Sequence, residues 1–231
     1  MYVLNTDAFA LSEGIGRQRE CYENQLAMET RKTQLQPNNY YHIYNRGING
    51  QNIFLEAKNY EYFLKKYSQY IFPFFDTFAY CLLKNHFHVL VQAKSENDIR
   101  LYLKDQHKEK SNSWILSNAF SSLFKSYAQA INKQYERTGG LFEEPFQRIE
   151  VASDAYFSHL IYYIHSNPQK HNFVSDFKDY EHSSYHSHLL AKATKLKREN
   201  VLAWFGGAEN YLNFHSQYVD IEGIKNIILE F

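Results

Sequence analysis

The chain has 231 residues and carries 25 basic and 25 acidic side chains, so its formal net charge is zero. A neutral chain argues against a protein that coats duplex DNA through bulk electrostatics, although it leaves room for a local basic groove. A hydrophobic content of 44% is ample for a packed globular core. The two cysteines, Cys21 and Cys81, support neither a disulfide framework nor a thiolate zinc site, so a bound metal is expected to have nitrogen and oxygen ligands.

The sequence shows no signal for a membrane or for export. No window approaches the roughly 18 uncharged apolar residues of a membrane span. Residues 1–16 lack both the basic start and the long apolar stretch of a signal peptide. We therefore expect a cytoplasmic protein that does not associate with membranes.

The first third of the chain predicts an extension followed by a strand and a helix. Residues 1–38 are polar and irregular, with one possible helix over 17–31, and are interpreted as an N-terminal extension. Aromatic and β-branched residues predict a strand over 40–46. Apolar residues at helical spacing predict a helix over about 55–70, which Pro73 would terminate.

The middle of the chain predicts a hairpin, a long helix and a last strand. Strand-like segments over 77–83 and 86–92 flank a tight turn at Lys84-Asn85. A helical pattern then covers 97–137 and stops at a glycine pair, as helices commonly do at their C-terminal ends. Residues 141–153 are predicted to form the fourth strand.

This order of elements predicts an α+β fold. Strand, helix, strand, strand, helix, strand is the arrangement of a ferredoxin-like or RRM-like antiparallel sheet, with helices on one face and the other face free for function. Such sheets commonly bind single-stranded nucleic acid. The domain is expected to span 39–190, and residues 191–231 to form a C-terminal helical appendage.

Two histidines separated by one residue, His86 and His88, begin the return strand of the predicted hairpin. Side chains two residues apart in a strand share a face, so both imidazoles can reach one metal ion. The same pattern is more often a pair of half-buried or surface histidines, so the motif by itself leaves metal binding open.

A further helix is predicted to start at a cap on Asp154 and to end at Pro168. At about 100° per residue its apolar side chains form a core face, and Tyr163 and Asn167 stack one turn apart on a separate stripe. Tyr162 falls on the side opposite the core, so Tyr163 is the better placed of the two tyrosines to share a site with Asn167. Tyr163 can also be interpreted as a packing tyrosine with a polar tip.

Several motifs along residues 40–190 fit one known family in order and approximate spacing. They are Tyr44-Asn45-Arg46-Gly47, Ile53-Phe54, the run from Tyr80 to Val91, Gly140-Leu141-Phe142, Phe146-Gln147-Arg148, the run from Tyr163 to Pro168, and Ser183-Ser184-Tyr185. Together they resemble the REP-associated tyrosine transposases, a branch of the single-tyrosine HUH endonucleases. Lys84 departs from the proline that the family often has before its Asn-His pair, and residues 1–38 match no segment of the family.

The resemblance implies a divided metal and nucleophile site. His86 and His88 would bind a divalent metal, Asn167 would supply a third ligand through its amide oxygen, and Tyr163 would be the nucleophile. Such a ligand set suits Mg²⁺ or Mn²⁺ at least as well as Zn²⁺. The implied activity is a metal-dependent single-stranded DNA endonuclease and strand transferase, a transposase that cleaves near hairpins through a 5′-phosphotyrosine intermediate and can rejoin strands without ATP.

The implied partner is single-stranded DNA that carries a REP-like hairpin, bound by a monomer or a homodimer. Tyr41 and Tyr44 near the sheet can stack on bases, unless they are core residues. Basic and polar side chains can contact phosphates, unless they belong to an ordinary solvated surface. The candidates for this contact are Asn45, Arg46, Lys84, Lys125 and Arg148.

Other functions remain open from the sequence. The first is a catalytically silent regulatory protein that binds DNA hairpins and derives from a transposase. A metal hydrolase of the amidohydrolase kind would need a longer barrel with repeated βα units, and an RNA-binding module of the same fold would need no metal. A second metal site at His182, His186 and His188 is a weaker alternative. The sequence does not decide whether the Tyr163 helix serves the histidines of its own chain or of a partner.

Overall fold

The computed structural model of the protein describes residues 33–104 and 106–217. Within these residues four strands form one antiparallel sheet in the order β2-β3-β1-β4. The strands are β1 (Tyr40–Arg46), β2 (Phe75–Leu82), β3 (His86–Ala93) and β4 (Gln147–Glu150). The α-helices are α1 (Ala57–Tyr70), α2 (Glu96–Leu103), α3 (Asn112–Gln134), α4 (Asp154–Lys170), α5 (Arg198–Trp204) and α6 (Ala208–Ser216). The predicted helix over 17–31 lies outside the described residues.

The two faces of the sheet pack against different sets of helices. Because strand side chains alternate between faces, Ile43, Phe87 and Val89 join the core formed with α1 and α3. Tyr44 and Leu90 lie on the opposite face, in a second core that includes the apolar residues of α4. The predicted ferredoxin-like α+β fold is confirmed, but the face that was expected to be free is covered by α4.

Three predicted boundaries are wrong, each for a local reason. The helical pattern over 97–137 is two helices, because the polar residues 104–110 have no apolar face to bury and Ser111 caps a new helix by accepting a hydrogen bond from the Trp114 amide at 3.2 Å. The fourth strand is shorter than predicted at its start, where Pro145 has no amide hydrogen for a strand ladder.

The third corrected boundary concerns α4, which begins after a cap on Ser153 and passes through Pro168 to Lys170. The Ser153 hydroxyl accepts a hydrogen bond from the Tyr156 amide at 3.3 Å. Beyond the proline, the His171 amide still donates to the Asn167 carbonyl at 3.0 Å. Pro168 therefore removes one donor from the last turn without ending the helix.

The segments on either side of the predicted domain contribute to its cores. Leu35 is fully buried in the first core, and the Gln36 amide donates to the Tyr41 hydroxyl at 2.7 Å. Val201 of α5 and Tyr211 of α6 are fully buried in the second core. The described part of the expected appendage is therefore packed into the domain. No helix in residues 33–104 and 106–217 has the length and apolar character needed to span a bilayer.

Leu35→Ala tests whether residues 33–38 are part of the folded domain. Because the side chain is fully buried, the substitution should lower the free energy of unfolding by about 2–5 kcal/mol in urea denaturation. Leu101→Ala is the matched control, since Leu101 is 78% exposed and its loss should change stability by less than about 0.5 kcal/mol. Equal, small effects from both substitutions would show that this segment does not belong to the core.

Candidate functional site

Helix α4 places Tyr163 against the histidine-bearing face of the sheet. His86 and His88 lie on the same face of β3, and the rings of His88 and Tyr163 meet edge to face with centroids 5.5 Å apart. The contact arises because the apolar side of α4 buries Leu160, Ile161 and neighbouring residues in the second core. The helix and the histidines therefore come together within one chain, without a partner.

Asn167 extends this arrangement by one helical turn. Its side-chain Nδ2 donates to the Tyr163 backbone carbonyl at 2.9 Å, which fixes the orientation of the amide. Its Oδ1 is buried and forms no well-aligned hydrogen bond with a described residue, although the Asn167 side chain interacts with His86. Buried polar atoms are nearly always paired, so the chemistry of this amide oxygen fits a hydrogen-bond donor or a cation.

The tautomer of His86 follows from its neighbour Asn85. His86 Nδ1 lies 2.8 Å from the Asn85 Oδ1 atom, which can only accept, so Nδ1 carries the proton and Nε2 keeps a lone pair. Burial lowers the pKa of His86 to about 3, the nearby His171 lowers it further, and the Asn167 side chain opposes the shift. The ring is therefore neutral at pH 7, which is the form that binds a metal.

His88 is paired with His42 of β1. His88 Nδ1 and His42 Nε2 are 3.0 Å apart in a buried hydrogen bond, and the two rings are stacked. Burial, followed by the proximity of His42, lowers the pKa of His88 well below its ordinary value. If His88 donates from Nδ1, its Nε2 lone pair is available to a metal; the reverse direction would leave a proton on His88 Nε2.

Tyr163 is enclosed and holds its proton at neutral pH. The residue is 1% exposed, and burial raises the pKa of its phenol, although the Asn167 side chain opposes the shift. The Lys170 ammonium lies over the Tyr163 ring, 5.5 Å from its centroid. A nucleophilic role would thus require both proton removal and access for the substrate.

The donor set fits a divalent cation. His86 and His88 can each present Nε2, and Asn167 presents a buried oxygen that forms no well-aligned hydrogen bond. No group of three or more His, Cys, Asp and Glu side chains in the described part of the chain is arranged to hold a metal. Two imidazole nitrogens and one amide oxygen leave positions open for substrate oxygens.

Sequence reasoning missed four side chains around this site. His42 contacts His88, Asn85 orients His86, and Lys170 and His171 lie on the same end of α4 as Asn167. The helical positions had a signal, since residues seven and eight after Tyr163 return to the same face. The pairing of His42 with His88 had none, because it depends on the register of β1 against β3.

The five residues predicted to contact DNA do not form one surface. Asn45 is 2% exposed, and the Arg46 guanidinium forms an ion pair with Glu143 at 2.7 Å. Lys84 is exposed in the β2–β3 turn. Lys125 and Arg148 line a cleft of about 680 Å³ between α3 and residues 139–148, and Glu143 also lines it.

The structure also locates the tyrosines that were candidates for base stacking and the histidines of the alternative metal site. Tyr41 and Tyr44 are fully buried, so neither ring is available for base stacking in this conformation. His182 stacks on Tyr60 at 3.6 Å, whereas His188 is fully buried elsewhere, in the second core region beside Tyr211. The weaker alternative of a metal site at His182, His186 and His188 is therefore wrong for this structure.

No family model matches the chain. Over 124 residues it is 30% identical to the "Putative REP-associated tyrosine transposase" of Haemophilus influenzae, an alignment that covers 51% of this chain. The predicted resemblance is confirmed. The chain spans 63% of the length of that relative.

A solved structure of a REP-associated tyrosine transposase bound to a REP hairpin has a similar fold. The TM-score is 0.53 with 16% sequence identity, and the match covers 69% of this chain and 83% of the solved one. At this identity the likeness concerns the fold. It agrees with the predicted fold class.

The tautomer of His86 is a direct test of the site geometry. Long-range ¹⁵N NMR correlations should show His86 protonated on Nδ1 at pH 7, because Asn85 Oδ1 accepts that proton. Asn85→Ala should raise the population of the Nε2-protonated form, whereas His186→Ala, at an exposed site, should leave the His86 signals unchanged. An Nε2–H tautomer in the wild-type protein would contradict the hydrogen bond to Asn85.

Proposed function

We propose that the protein is a metal-dependent single-stranded DNA endonuclease and strand transferase of the tyrosine transposase type. The observation that carries the proposal is the packing of Tyr163 on His88 together with the buried Asn167 oxygen, which forms no well-aligned hydrogen bond with a described residue. Tyr163 thus contacts His88 through its ring and Asn167 through its backbone carbonyl, which supports a shared site for these residues. The relative named as a tyrosine transposase supports the same assignment.

In the proposed reaction the Tyr163 phenol oxygen attacks a phosphodiester phosphorus. The new bond joins this oxygen to phosphorus, the bond from phosphorus to the 3′ oxygen breaks, and the phenol proton leaves while the released 3′ oxygen gains a proton. The products are a 5′-phosphotyrosine and a free 3′-hydroxyl. Because the ester retains the bond energy, a 3′-hydroxyl can reverse the step and join strands without ATP.

The proposed cofactor is Mg²⁺ or Mn²⁺, held by His86, His88 and Asn167. When bound, it would polarise the scissile phosphate and stabilise the charge that develops there. The raised pKa of Tyr163 explains why such help is needed, since burial keeps the phenol protonated at pH 7. Lys170, whose ammonium lies over the face of the Tyr163 ring, adds positive charge near this residue.

The proposed substrate is single-stranded DNA next to a hairpin. The solved relative of similar fold is bound to a REP hairpin, which supports a hairpin substrate for this chain. Two basic side chains flank the candidate site: Arg46 pairs with His86 across β1 and β3, and Lys84 precedes His86 by two residues. Contacts from these two residues to phosphates would hold the strand near Tyr163.

A second candidate is a catalytically silent protein that binds DNA hairpins. The observation that favours it is the exposure of Tyr163, 1%, because a phosphate cannot reach an enclosed hydroxyl unless neighbouring side chains move. The two candidates differ in one product. Only the endonuclease forms a covalent bond between Tyr163 and DNA.

Tyr163→Phe should abolish the covalent adduct, because it removes the attacking oxygen while preserving the packed ring. The measurement is denaturing gel electrophoresis of labelled single-stranded hairpin DNA after incubation with Mn²⁺. Tyr162→Phe is the matched control. This neighbouring tyrosine is partly exposed and lies on the side of α4 away from His86 and His88, so removal of its hydroxyl should leave the adduct in place. Hairpin binding by the wild type without any adduct would favour the silent candidate.

Mn²⁺ affinity tests the ligand set without cleavage. His88→Ala and Asn167→Ala should each weaken Mn²⁺ binding, followed by electron paramagnetic resonance of the free ion. His42→Phe, which keeps the stacked ring but loses the hydrogen bond to His88, should weaken it about 10–100-fold. His186→Ala should have no effect, and unchanged affinity in all three site variants would rule out this metal site.

A further inference from the structure

A second histidine cluster lies on the side of α4 away from the candidate site, and the proposed chemistry does not use it. His165 of α4, Ser184 and His215 of α6 are between 0% and 1% exposed. His165 Nε2 is 2.8 Å from Ser184 Oγ, and His165 Nδ1 is 3.0 Å from His215 Nε2. The Tyr80 amide donates to Ser184 Oγ at 2.9 Å, and His215 Nδ1 lies 2.8 Å from the Tyr211 carbonyl.

Only one proton arrangement satisfies this chain of neutral groups. The Tyr211 carbonyl can only accept, so His215 carries its proton on Nδ1 and accepts on Nε2. His165 must then donate a hydrogen bond from Nδ1 to His215 and accept one on Nε2 from the Ser184 hydroxyl. Burial lowers the pKa of His215 to about 4, so this ring is neutral at pH 7.

Ser184, His165 and His215 form a hydrogen-bond relay, and the Tyr80 backbone binds its Ser184 end. Tyr80 belongs to β2 and precedes Cys81, which pairs with His88 across β2 and β3. The Ser184 amide also donates to the Tyr80 carbonyl at 2.9 Å, so Ser184 is bonded to the strand in both directions. The relay is thus anchored to the same sheet that carries the histidines of the candidate metal site.

The relay is bonded to α4 on the side away from the candidate site. His165 follows Tyr163 by two residues, which is a rotation of about 200° around a helix. A bond at His165 therefore limits rotation of α4 in the direction that would swing Tyr163 and Asn167 away from the sheet. His188, the third buried histidine here, has no hydrogen-bond partner among the described residues and does not close the chain.

We infer that the Ser184–His165–His215 relay is a positioning device that sets the rotation of α4, so that α6 holds Tyr163 against His88. His165, Ser184 and His215 are positioning residues in this assignment, since none of them reaches the proposed metal ligands. The catalytic part of the inference rests on the proposed function. The structural part, a single tautomeric chain that restrains α4, stands independently of it.

The tautomers provide a test that needs no activity. Long-range ¹⁵N NMR correlations at pH 7 should show His165 and His215 both protonated on Nδ1. Ser184→Ala should disturb the His165 signals, because it removes the hydroxyl that Nε2 accepts from. An Nε2–H tautomer at either histidine in the wild type would overturn the relay whether or not the protein cleaves DNA.

His215→Ala tests the positioning role. It should speed amide hydrogen exchange across residues 159–167 and, because displacement of a reacting group by about 1 Å can cost about 10²-fold in rate, slow adduct formation on single-stranded hairpin DNA by up to about that factor. His215→Gln, whose amide oxygen can accept from His165 Nδ1, should recover part of the rate. Binding of the same hairpin DNA should change little.

Val201→Ala separates positioning from loss of stability. Val201 is fully buried in the same C-terminal segment but is not a member of the relay, so its truncation destabilises the fold without removing a hydrogen bond from α4. Val201→Ala should speed exchange evenly across the second core by no more than the lost stability, without a larger effect in α4, and should leave the adduct rate near wild type. Equal effects of His215→Ala and Val201→Ala, in exchange or in rate, would overturn the inference. If the wild type forms no adduct, the proposed function is refuted instead. The exchange comparison then tests by itself whether the relay restrains α4.

Discussion

The burial of α4 across the histidine face of the sheet is the constraint on which the rest of the site depends. Without it, His86 and His88 would be two histidines on an open strand face. With it, Tyr163 contacts His88 and the whole group leaves water. Burying polar atoms costs free energy unless they are paired, and the pairs of His42 with His88 and of Asn85 with His86 meet that cost. Among the described residues, the Asn167 amide oxygen and His42 Nδ1 are buried polar atoms that these pairs leave without a hydrogen bond.

Enclosure acts in opposite directions on the two halves of the proposed chemistry. It lowers the pKa of both histidines, so they are neutral and available as ligands at pH 7. It also raises the pKa of Tyr163, which makes the phenol a poorer nucleophile in the closed state. Under the proposed function, a phosphate can reach this hydroxyl only if neighbouring side chains move, because Tyr163 is buried.

The side of α4 away from the candidate site is also packed. Its His165 joins Ser184 and His215 in a hydrogen-bond chain, while Val201 and Tyr211 complete the second core. Packing from both sides is what allows one helix to present two neighbouring residues to a fixed pair of histidines. The C-terminal helices are therefore part of the structure that defines the site.

The sequence by itself determined the local features. Alternation along strands placed His86 and His88 on one face, and helical periodicity placed Tyr163 and Asn167 on one stripe, because both depend only on the geometry of a single element. The order of elements determined the sheet topology. The sequence pattern could not locate the break between α2 and α3, because apolar residues recur at helical spacing on both sides of the polar segment.

Only the tertiary structure decided which elements meet. The contact between His42 and His88 joins residues 46 positions apart, and the relay joins His165 to a residue 50 positions away. Such contacts depend on strand register and on the rotation of packed helices, which no local pattern encodes. The same reason explains why Tyr44, a candidate for base stacking by sequence, lies fully buried in the second core.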